Sequence, residues 1–211
     1  MRPNLPAGIT ICLALLAPAA DAAASTVRDG ATEASQKRLA AAKNEQSKII
    51  EGFIVDSGPP RPADPKGRYF VEFRARPLSV YGHTYIIYGR LDEAGAPAER
   101  RFVALHPQGD VAGLTTGSLP ILVPATTLPV SGDRELPVLS SYRRRLNAEQ
   151  YGKVQAFVYE MRSRPLSWNL YTRNCNHFAG ELAKRIGLKT PSQNVQFTPL
   201  YVKELEALNQ N

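Results

Sequence analysis

Cysteine is scarce in this chain of 211 residues, which contains only Cys12 and Cys175. Two cysteines cannot build the disulfide framework that stabilises many small secreted domains. Long apolar runs are lacking too, because no stretch after residue 24 approaches the roughly 20 apolar residues of a membrane-spanning helix. What remains is ordinary globular composition, with 43% hydrophobic and 21% charged residues. That composition suits one domain with a buried core.

The first 24 residues follow the pattern of an export signal. Arg2 supplies a positive charge, residues 9–16 are almost continuously apolar, and residues 19–24 are rich in small side chains. This order predicts a cleaved signal peptide at residues 1–24 and a periplasmic or secreted protein of the bacterial envelope. The mature chain would then keep Cys175 as its single cysteine, an unpaired thiol in an oxidising compartment.

The charge balance is basic, with 26 Lys and Arg against 19 Asp and Glu and a net charge of +7. These charges are dispersed, and no recognised nucleic-acid module accompanies them, so we do not expect a nucleic-acid partner. A basic envelope protein is attracted to anionic surfaces such as phospholipid headgroups or cell-wall polymers. We expect no transmembrane segment once the signal is removed.

Two segments precede the predicted domain. Residues 25–48 are polar and Ala-rich, which predicts a solvated helix with the apolar residues 49–54 at its end. Residues 57–67 contain four prolines and two glycines, a composition that stops helices and marks a linker. We therefore divide the chain into a signal (1–24), a polar helix with its linker (25–67) and one domain (68–211).

A β-hairpin is predicted from aromatic and β-branched residues. Residues 69–73, 83–89 and 101–106 have strand character. If Gly89 pairs with Arg100, then His83 stands opposite His106 on one face of the sheet, whereas a slip of one residue would separate them. The Pro-, Gly- and Thr-rich segment that follows His106 predicts further strands and loops.

Three helices are predicted in the second half. Asn147 followed by Gln150 forms a capping-box pattern at the start of the first helix. The second helix should run over residues 174–186, with Gly187 at its C-terminal end. A short third helix is expected over residues 199–208.

Cys175 falls in the first turn of the second helix, with Asn174 as the cap. Unpaired backbone amides and the helix dipole at that position favour a thiolate, and so predict a pKa below the usual value of about 8.5. An inert buried cysteine is the alternative. His177 is rejected as its base, because two residues along a helix turn the side chain by about 200° to the opposite face.

The predicted hairpin offers His83 and His106 as partners of the thiol. One imidazole would take the proton of Cys175 and the other would orient it, which gives a Cys-His-His site. A partly exposed histidine at a strand end is the ordinary alternative. A zinc site made by the same three residues is a second alternative, but no CxxC or HExxH motif supports it, and we predict neither a metal nor a cofactor.

The motif Asn-Cys-Asn-His-Phe at residues 174–178, preceded by two histidine-bearing strands, resembles the circularly permuted NlpC-like branch of papain-fold thiol enzymes. That branch includes lecithin–retinol acyltransferase-like enzymes and PPPDE-type peptidases, and the resemblance covers about residues 68–188. It implies an α+β domain whose antiparallel sheet packs on the helix bearing the nucleophile. It also implies that Cys175 is that nucleophile, His83 its base and His106 the orienting residue.

The expected activity is that of an exported cysteine hydrolase that cleaves an amide bond through a thioester, with a cell-wall peptide as substrate. A lipid hydrolase or acyltransferase and a noncatalytic envelope-binding module are the alternatives. Backbone amides at the helix start would hold the oxyanion, supported by Asn174 and Tyr81. Tyr81, Trp168 and Tyr171 would either pack in the core or line the substrate cleft.

Overall fold

The computed structural model describes residues 47–210. The predicted signal peptide (1–24) and nearly all of the predicted polar helix (25–48) lie outside the described residues. The described part is a mixed α+β fold with a mixed six-stranded sheet, a three-stranded antiparallel sheet and five helices. None of the described helices has the length and apolar character needed to cross a membrane.

The strands are β1 (Ser47–Ile50), β2 (Phe53–Asp56), β3 (Tyr69–Arg76), β4 (His83–Arg90), β5 (Arg101–Ala104), β6 (His106–Pro107), β7 (Val123–Thr126), β8 (Ser140–Leu146) and β9 (Leu166–Trp168). The helices are α1 (Asp110–Gly117), α2 (Ser131–Glu135), α3 (Ala148–Arg162), α4 (Cys175–Arg185) and α5 (Thr198–Ala207).

The large sheet has the strand order β1-β2-β5-β4-β3-β8. Its neighbours are antiparallel except β2 and β5, which are parallel at Ile54 and Arg101. The sheet is therefore mixed, and the expectation of a purely antiparallel sheet is corrected at this one pair. The small sheet has the order β6-β7-β9.

The β1–β2 hairpin lies where the sequence predicted the apolar end of a helix. Glu51 and Gly52 form its two-residue turn with φ of 50° and 77°, the positive values that a tight hairpin turn requires. Phe53 and Val55 are buried, so this hairpin contributes to the core. The six-stranded sheet thus includes residues before the Pro-rich linker, whereas the sequence predicted a domain that begins at residue 68.

The predicted register of the histidine-bearing hairpin is confirmed. Tyr85 pairs with Ala104 and Tyr88 with Arg101, which is the alignment that sets His83 opposite His106. Strand β5 ends at Ala104, and His106 begins β6, where it pairs with Thr126 of β7. His106 therefore lies where the two sheets meet along the chain.

The two faces of β4 pack against different cores. Ile86 and Tyr88 belong to the larger apolar cluster, together with residues of α3, α4 and α5. Tyr85 and Ile87 belong to a smaller cluster on the other face. Since successive strand residues point to opposite faces, Thr84 shares the helix-bearing face and His83 shares the face of Tyr85.

The three predicted helices are present. Asn147 and Gln150 cap α3 reciprocally, and Gly187 follows α4 with φ of 85°. The buried side chains of α5 include Tyr201, Val202 and Leu205. The segment after His106, expected to hold strands and loops, also contains α1 and α2.

Candidate active site

Asn174 determines where α4 begins. Its Oδ1 accepts a hydrogen bond from the His177 amide at 3.0 Å, and its Nδ2 donates to the carbonyls of Leu170 at 2.7 Å and Asn194 at 3.0 Å. Both amide hydrogens of Asn174 are thus engaged with backbone carbonyls. Asn174 therefore supports the start of the helix, and an oxyanion at this position would have to be held by backbone amides.

His177 completes this capping arrangement. The Asn174 amide lies 3.4 Å from the His177 Nδ1, so the imidazole satisfies one of the amides at the helix start. The position agrees with the prediction that His177 supports the first turn and is not the base of Cys175.

The Cys175 thiol meets the start of β4. Its Sγ accepts a hydrogen bond from the Thr84 amide at 3.4 Å. The hydroxyl of Thr84 donates to Asn176 Oδ1 at 2.6 Å, which fixes the helix start to the strand at a second point. The Thr84 nitrogen is two covalent bonds from the His83 Cα, so these contacts bring the nucleophile candidate next to the base candidate.

Burial decides the protonation state of this thiol. The loss of water raises the pKa of Cys175 above its usual value, although the amides of Thr84, Asn176 and Cys175 act in the opposite direction. The sequence predicted a lowered pKa from the helix start, and this prediction is wrong. The resting state is a protonated thiol, which needs a base before it can attack.

His83 and His106 lie side by side, with ring centroids 4.1 Å apart and ring planes inclined by 30°. The His83 ring also stacks on Tyr85, at 9° and 6.2 Å between centroids, which agrees with its position on the face away from α4. In the described part of the chain, the hydrogen bond that the Cys175 Sγ accepts from β4 comes from the Thr84 amide and not from the His83 ring. The structure thus brings the two predicted histidines together, and joins the thiol to them through the backbone.

A third group, Asp133, belongs to this cluster and was not predicted. Its Oδ2 lies 3.4 Å from His106 Nε2 and its Oδ1 lies 3.8 Å from His83 Nε2. The same carboxylate accepts hydrogen bonds from Arg76 Nε at 2.7 Å and from the Val130 amide at 2.9 Å. Its side chain is fully buried, and that of Arg76 is 3% exposed.

The charges of this cluster are unevenly distributed. Burial would raise the pKa of Asp133, but its contacts with His106, His83 and Arg76 outweigh burial and hold that pKa well below the usual range. Burial, with His106 and Arg76, lowers the pKa of His83 well below 6.5, and Asp133 opposes them only in part. The site therefore contains a carboxylate, a guanidinium and a neutral His83.

The ligand atoms of His83, His106 and Asp133 lie within 4.8 Å of one another, and two imidazoles with a carboxylate are a donor set for divalent metals. The predicted alternative, a zinc site, used Cys175 as the third ligand, whereas the group found among the described residues contains Asp133 instead. Arg76 argues against a cation here, because its buried charge lies 2.7 Å from one carboxylate oxygen. Both carboxylate oxygens already accept other hydrogen bonds, so the cluster is better suited to handling a proton.

Cys175 opens into a cavity of about 440 Å³. Tyr81 and Trp168 line it, whereas Tyr171 is exposed elsewhere. Trp168 is 4% exposed and Tyr81 39% exposed, so Trp168 serves both the core and the cavity wall. Most of the lining is apolar, contributed by Leu78, Val80, Leu114, Trp168, Leu170 and Val195.

Gly82 shapes the chain immediately before His83. Its φ is 78°, and a Cβ there would lie 2.3 Å from the Thr198 Oγ1 and 3.0 Å from the Arg76 carbonyl oxygen. A side chain at this position is therefore excluded by both conformation and space. The close approach of α5 to the start of β4 depends on this glycine.

Comparisons of the chain with protein-family models, with curated proteins and with solved structures found no match.

Proposed function

We propose that this protein is an exported cysteine hydrolase that cleaves an amide bond of a cell-wall peptide, with Cys175 as the nucleophile and His83 as the general base. One observation carries the proposal: the Sγ of Cys175, at the start of α4, accepts a hydrogen bond from the amide that directly follows His83. Thiol acyl transfer needs a base close to the nucleophile, and this contact brings the Cys175 thiol next to the residue that carries the proposed base.

The proposed reaction begins with the transfer of the Cys175 proton to His83. The Nε2 of His83 faces Asp133, which leaves Nδ1 as the nitrogen that takes the proton. The His83 ring lies on the face away from α4, so the proposed transfer includes a rotation of this side chain toward Cys175 when substrate binds; catalytic hydrogen bonds often form only in the complex. The thiolate then attacks the carbonyl carbon, and the oxyanion is held by amides at the start of α4.

The second half of the reaction releases the two products. The protonated His83 gives its proton to the departing amine as the C–N bond breaks, which leaves a thioester on Cys175. Water, deprotonated by His83, attacks the thioester and releases the carboxylic acid and the free thiol. A basic protein of net charge +7 is attracted to anionic wall polymers, which fits this choice of substrate and an envelope location.

The test is hydrolysis of purified muropeptides by the full chain, compared with its Cys175→Ala and His83→Asn variants. His177→Asn is a matched control, because His177 lies in the same motif but caps α4. We expect activity to be abolished in the first two variants and kept in the control. Trapping of an acyl-enzyme adduct on Cys175 by mass spectrometry would identify the thioester. Undiminished hydrolysis by Cys175→Ala would contradict the proposal.

A second candidate is a lipid hydrolase or acyltransferase, and the apolar lining of the cavity favours it. A cavity walled by Leu78, Leu170 and Trp168 suits an acyl chain better than a polar peptide stem. Assays of the same purified protein on phospholipid vesicles and on muropeptides distinguish the two candidate functions. Acylation of Cys175 by the lipid alone would select this candidate and would leave the roles of Cys175 and His83 unchanged.

A further inference from the structure

Asp133 is supplied by α2, in a segment to which the sequence assigned no role. Its two carboxylate oxygens face two different imidazoles, Oδ1 toward His83 and Oδ2 toward His106. Neither His83 Nε2 nor His106 Nε2 has a hydrogen-bond partner of good geometry within residues 47–210, although both are buried. Buried polar groups without hydrogen bonds cost free energy of folding. The convergence of two such nitrogens on one carboxylate therefore indicates a functional arrangement.

We propose that Asp133 and Arg76 form a positioning pair that sets the charge and orientation of His83, so that the site works as Cys-His-Asp with the His106 ring packed beside the base. The inference rests on the proposed roles of Cys175 and His83. It differs from the Cys-His-His arrangement in naming a carboxylate, and not a second imidazole, as the group that steadies the protonated base.

The chemical argument for Asp133 is that the base changes charge during the reaction. When the Cys175 proton moves to His83, the imidazole becomes a cation in a site from which water is excluded. The His106 ring 4.1 Å away has no negative charge to compensate that cation, whereas a carboxylate 3.8 Å from Nε2 can compensate it. The imidazolium formed in this step then lies next to a carboxylate. The thiolate lies next to backbone amides, whose hydrogens carry a partial positive charge.

Arg76 has the complementary role. Its Nε holds Oδ1 of Asp133 at 2.7 Å, and its NH1 donates to the Pro77 carbonyl at 3.0 Å, so the guanidinium is fixed in place. Burial keeps His83 unprotonated at rest, and a pair that is neutral as a whole does not reverse this effect. Asp133 without Arg76 would raise the pKa of His83, and Arg76 without Asp133 would lower it further.

The groups that face His83 come from several elements. They are Arg76 of β3, Tyr85 of β4, His106 of β6, Asp133 of α2, and Cys175 of α4 through the Thr84 amide. Among them, Arg76 and Asp133 carry opposite charges and act on the pKa of His83 in opposite directions. Opposite shifts of the His83 pKa are expected if the two residues act through their charges. They are not expected if the two residues only support the fold.

The experiment follows the ring resonances of the histidines by NMR as the pH is varied, using the full chain, which contains three histidines. The variants His106→Asn and His177→Asn assign the signals. We expect Asp133→Asn to move the titration of His83 to lower pH and Arg76→Met to move it to higher pH. Glu72→Gln is the matched control, because Glu72 is a buried carboxylate paired with Arg74 and Arg143, and it should leave His83 unchanged.

Two further variants keep the test decisive if Arg76→Met does not fold. Arg76→Lys retains the charge and should leave the His83 titration close to that of the wild type. The double variant Arg76→Met with Asp133→Asn removes both charges and should give a smaller shift than Asp133→Asn alone. Shifts of Asp133→Asn and Arg76→Met in the same direction, or no shift in Asp133→Asn, would overturn the inference.

The kinetic counterpart is the pH profile of acylation of Cys175. Asp133→Asn should lower its maximal rate by about 100-fold and displace its acid limb to lower pH. Because the NMR titration needs no turnover, it still reports on Asp133 and Arg76 if no substrate is cleaved, so the two failures are distinguishable. Stoichiometric Zn²⁺ binding that perturbs the His83 and His106 resonances and is lost in Asp133→Asn would overturn the inference in favour of a metal site.

Discussion

The amide of Thr84 and the thiol of Cys175 are joined over 3.4 Å, although 91 positions separate them in the chain. This contact connects the first turn of α4 to the first residues of β4, and it therefore determines what surrounds the Cys175 thiol. The chemistry of Cys175 depends on the packing of a helix on a strand, and local sequence alone does not set it.

Alkylation of Cys175 by iodoacetamide should show a thiol with a raised pKa. Since burial disfavours the thiolate, we expect slower labelling at neutral pH than for a free cysteine peptide, and a rate that still rises above about pH 8.5, the ordinary pKa of a cysteine thiol. His83→Ala should slow neutral-pH labelling further, by about tenfold or more, because the proton acceptor is removed. A rate equal to that of the free thiol in both proteins would contradict the proposed pair.

Asn174→Ala should reduce both stability and activity. The cap of α4 is lost, which costs about 0.5–2 kcal/mol; the Leu170 carbonyl loses its side-chain donor, and the Asn194 carbonyl keeps only the bond from Asn176. The matched control is Asn147→Ala, which removes the same capping box from α3 at a distance from the thiol. Urea unfolding should show a larger stability loss in Asn174→Ala, which also loses its bonds to two backbone carbonyls, and acylation should slow in Asn174→Ala alone.

Gly82→Ala tests the close approach before His83. Gly187→Ala has a similar positive φ but open space around the added Cβ, so it should cost only the conformational strain of about 1–2 kcal/mol. Gly82→Ala should cost clearly more and should reduce activity. The Thr198 hydroxyl is buried with no hydrogen-bond partner found in the described part of the chain, so adding Thr198→Ala should recover part of the loss. Equal unfolding free energies for the two glycine variants would show that the approach is unimportant.

The free energy of unfolding should fall as the pH drops below 6.5. The folded-state pKa of His83 is lowered from that value, so the unfolded chain takes up a proton that the folded chain resists. The loss should reach about 1.4 kcal/mol for each pH unit between the two pKa values. His83→Gln should flatten this slope, whereas His177→Gln should change it less, because His177 is only partly buried. A slope that His83→Gln leaves unchanged would contradict a buried neutral His83.

The contact of the two histidines could be predicted because strand pairing is regular. Once Gly89 was aligned with its partner, alternation placed His83 and His106 on one face, and the register is confirmed by the pairing of Tyr85 with Ala104. The cap at Asn174 was also recognisable, because capping is decided within a few residues.

Asp133 and the raised pKa of Cys175 were missed because both depend on tertiary packing. Asp133 follows a Pro-rich segment without periodicity, and its partner Arg76 is 57 residues away. Two weak signals were present: Asp110 and Asp133 are the only aspartates between His106 and Cys175, and β3 carries the charged residues Glu72, Arg74 and Arg76 on one face. The β1–β2 hairpin was missed although Gly52 occupies a turn position typical of hairpins.

The loop between β4 and β5 joins the ends of these strands that are remote from His83 and His106. Residues could be inserted there or removed without changing which side chains stand opposite each other near Cys175. The number of residues between the two histidines therefore says little about the site. What matters is that strand alternation places both histidines on the same face of the sheet. A search for proteins with the same arrangement of side chains should accordingly fix the strand alternation around His83 and the motif at Cys175, and should leave the separation of the histidines free.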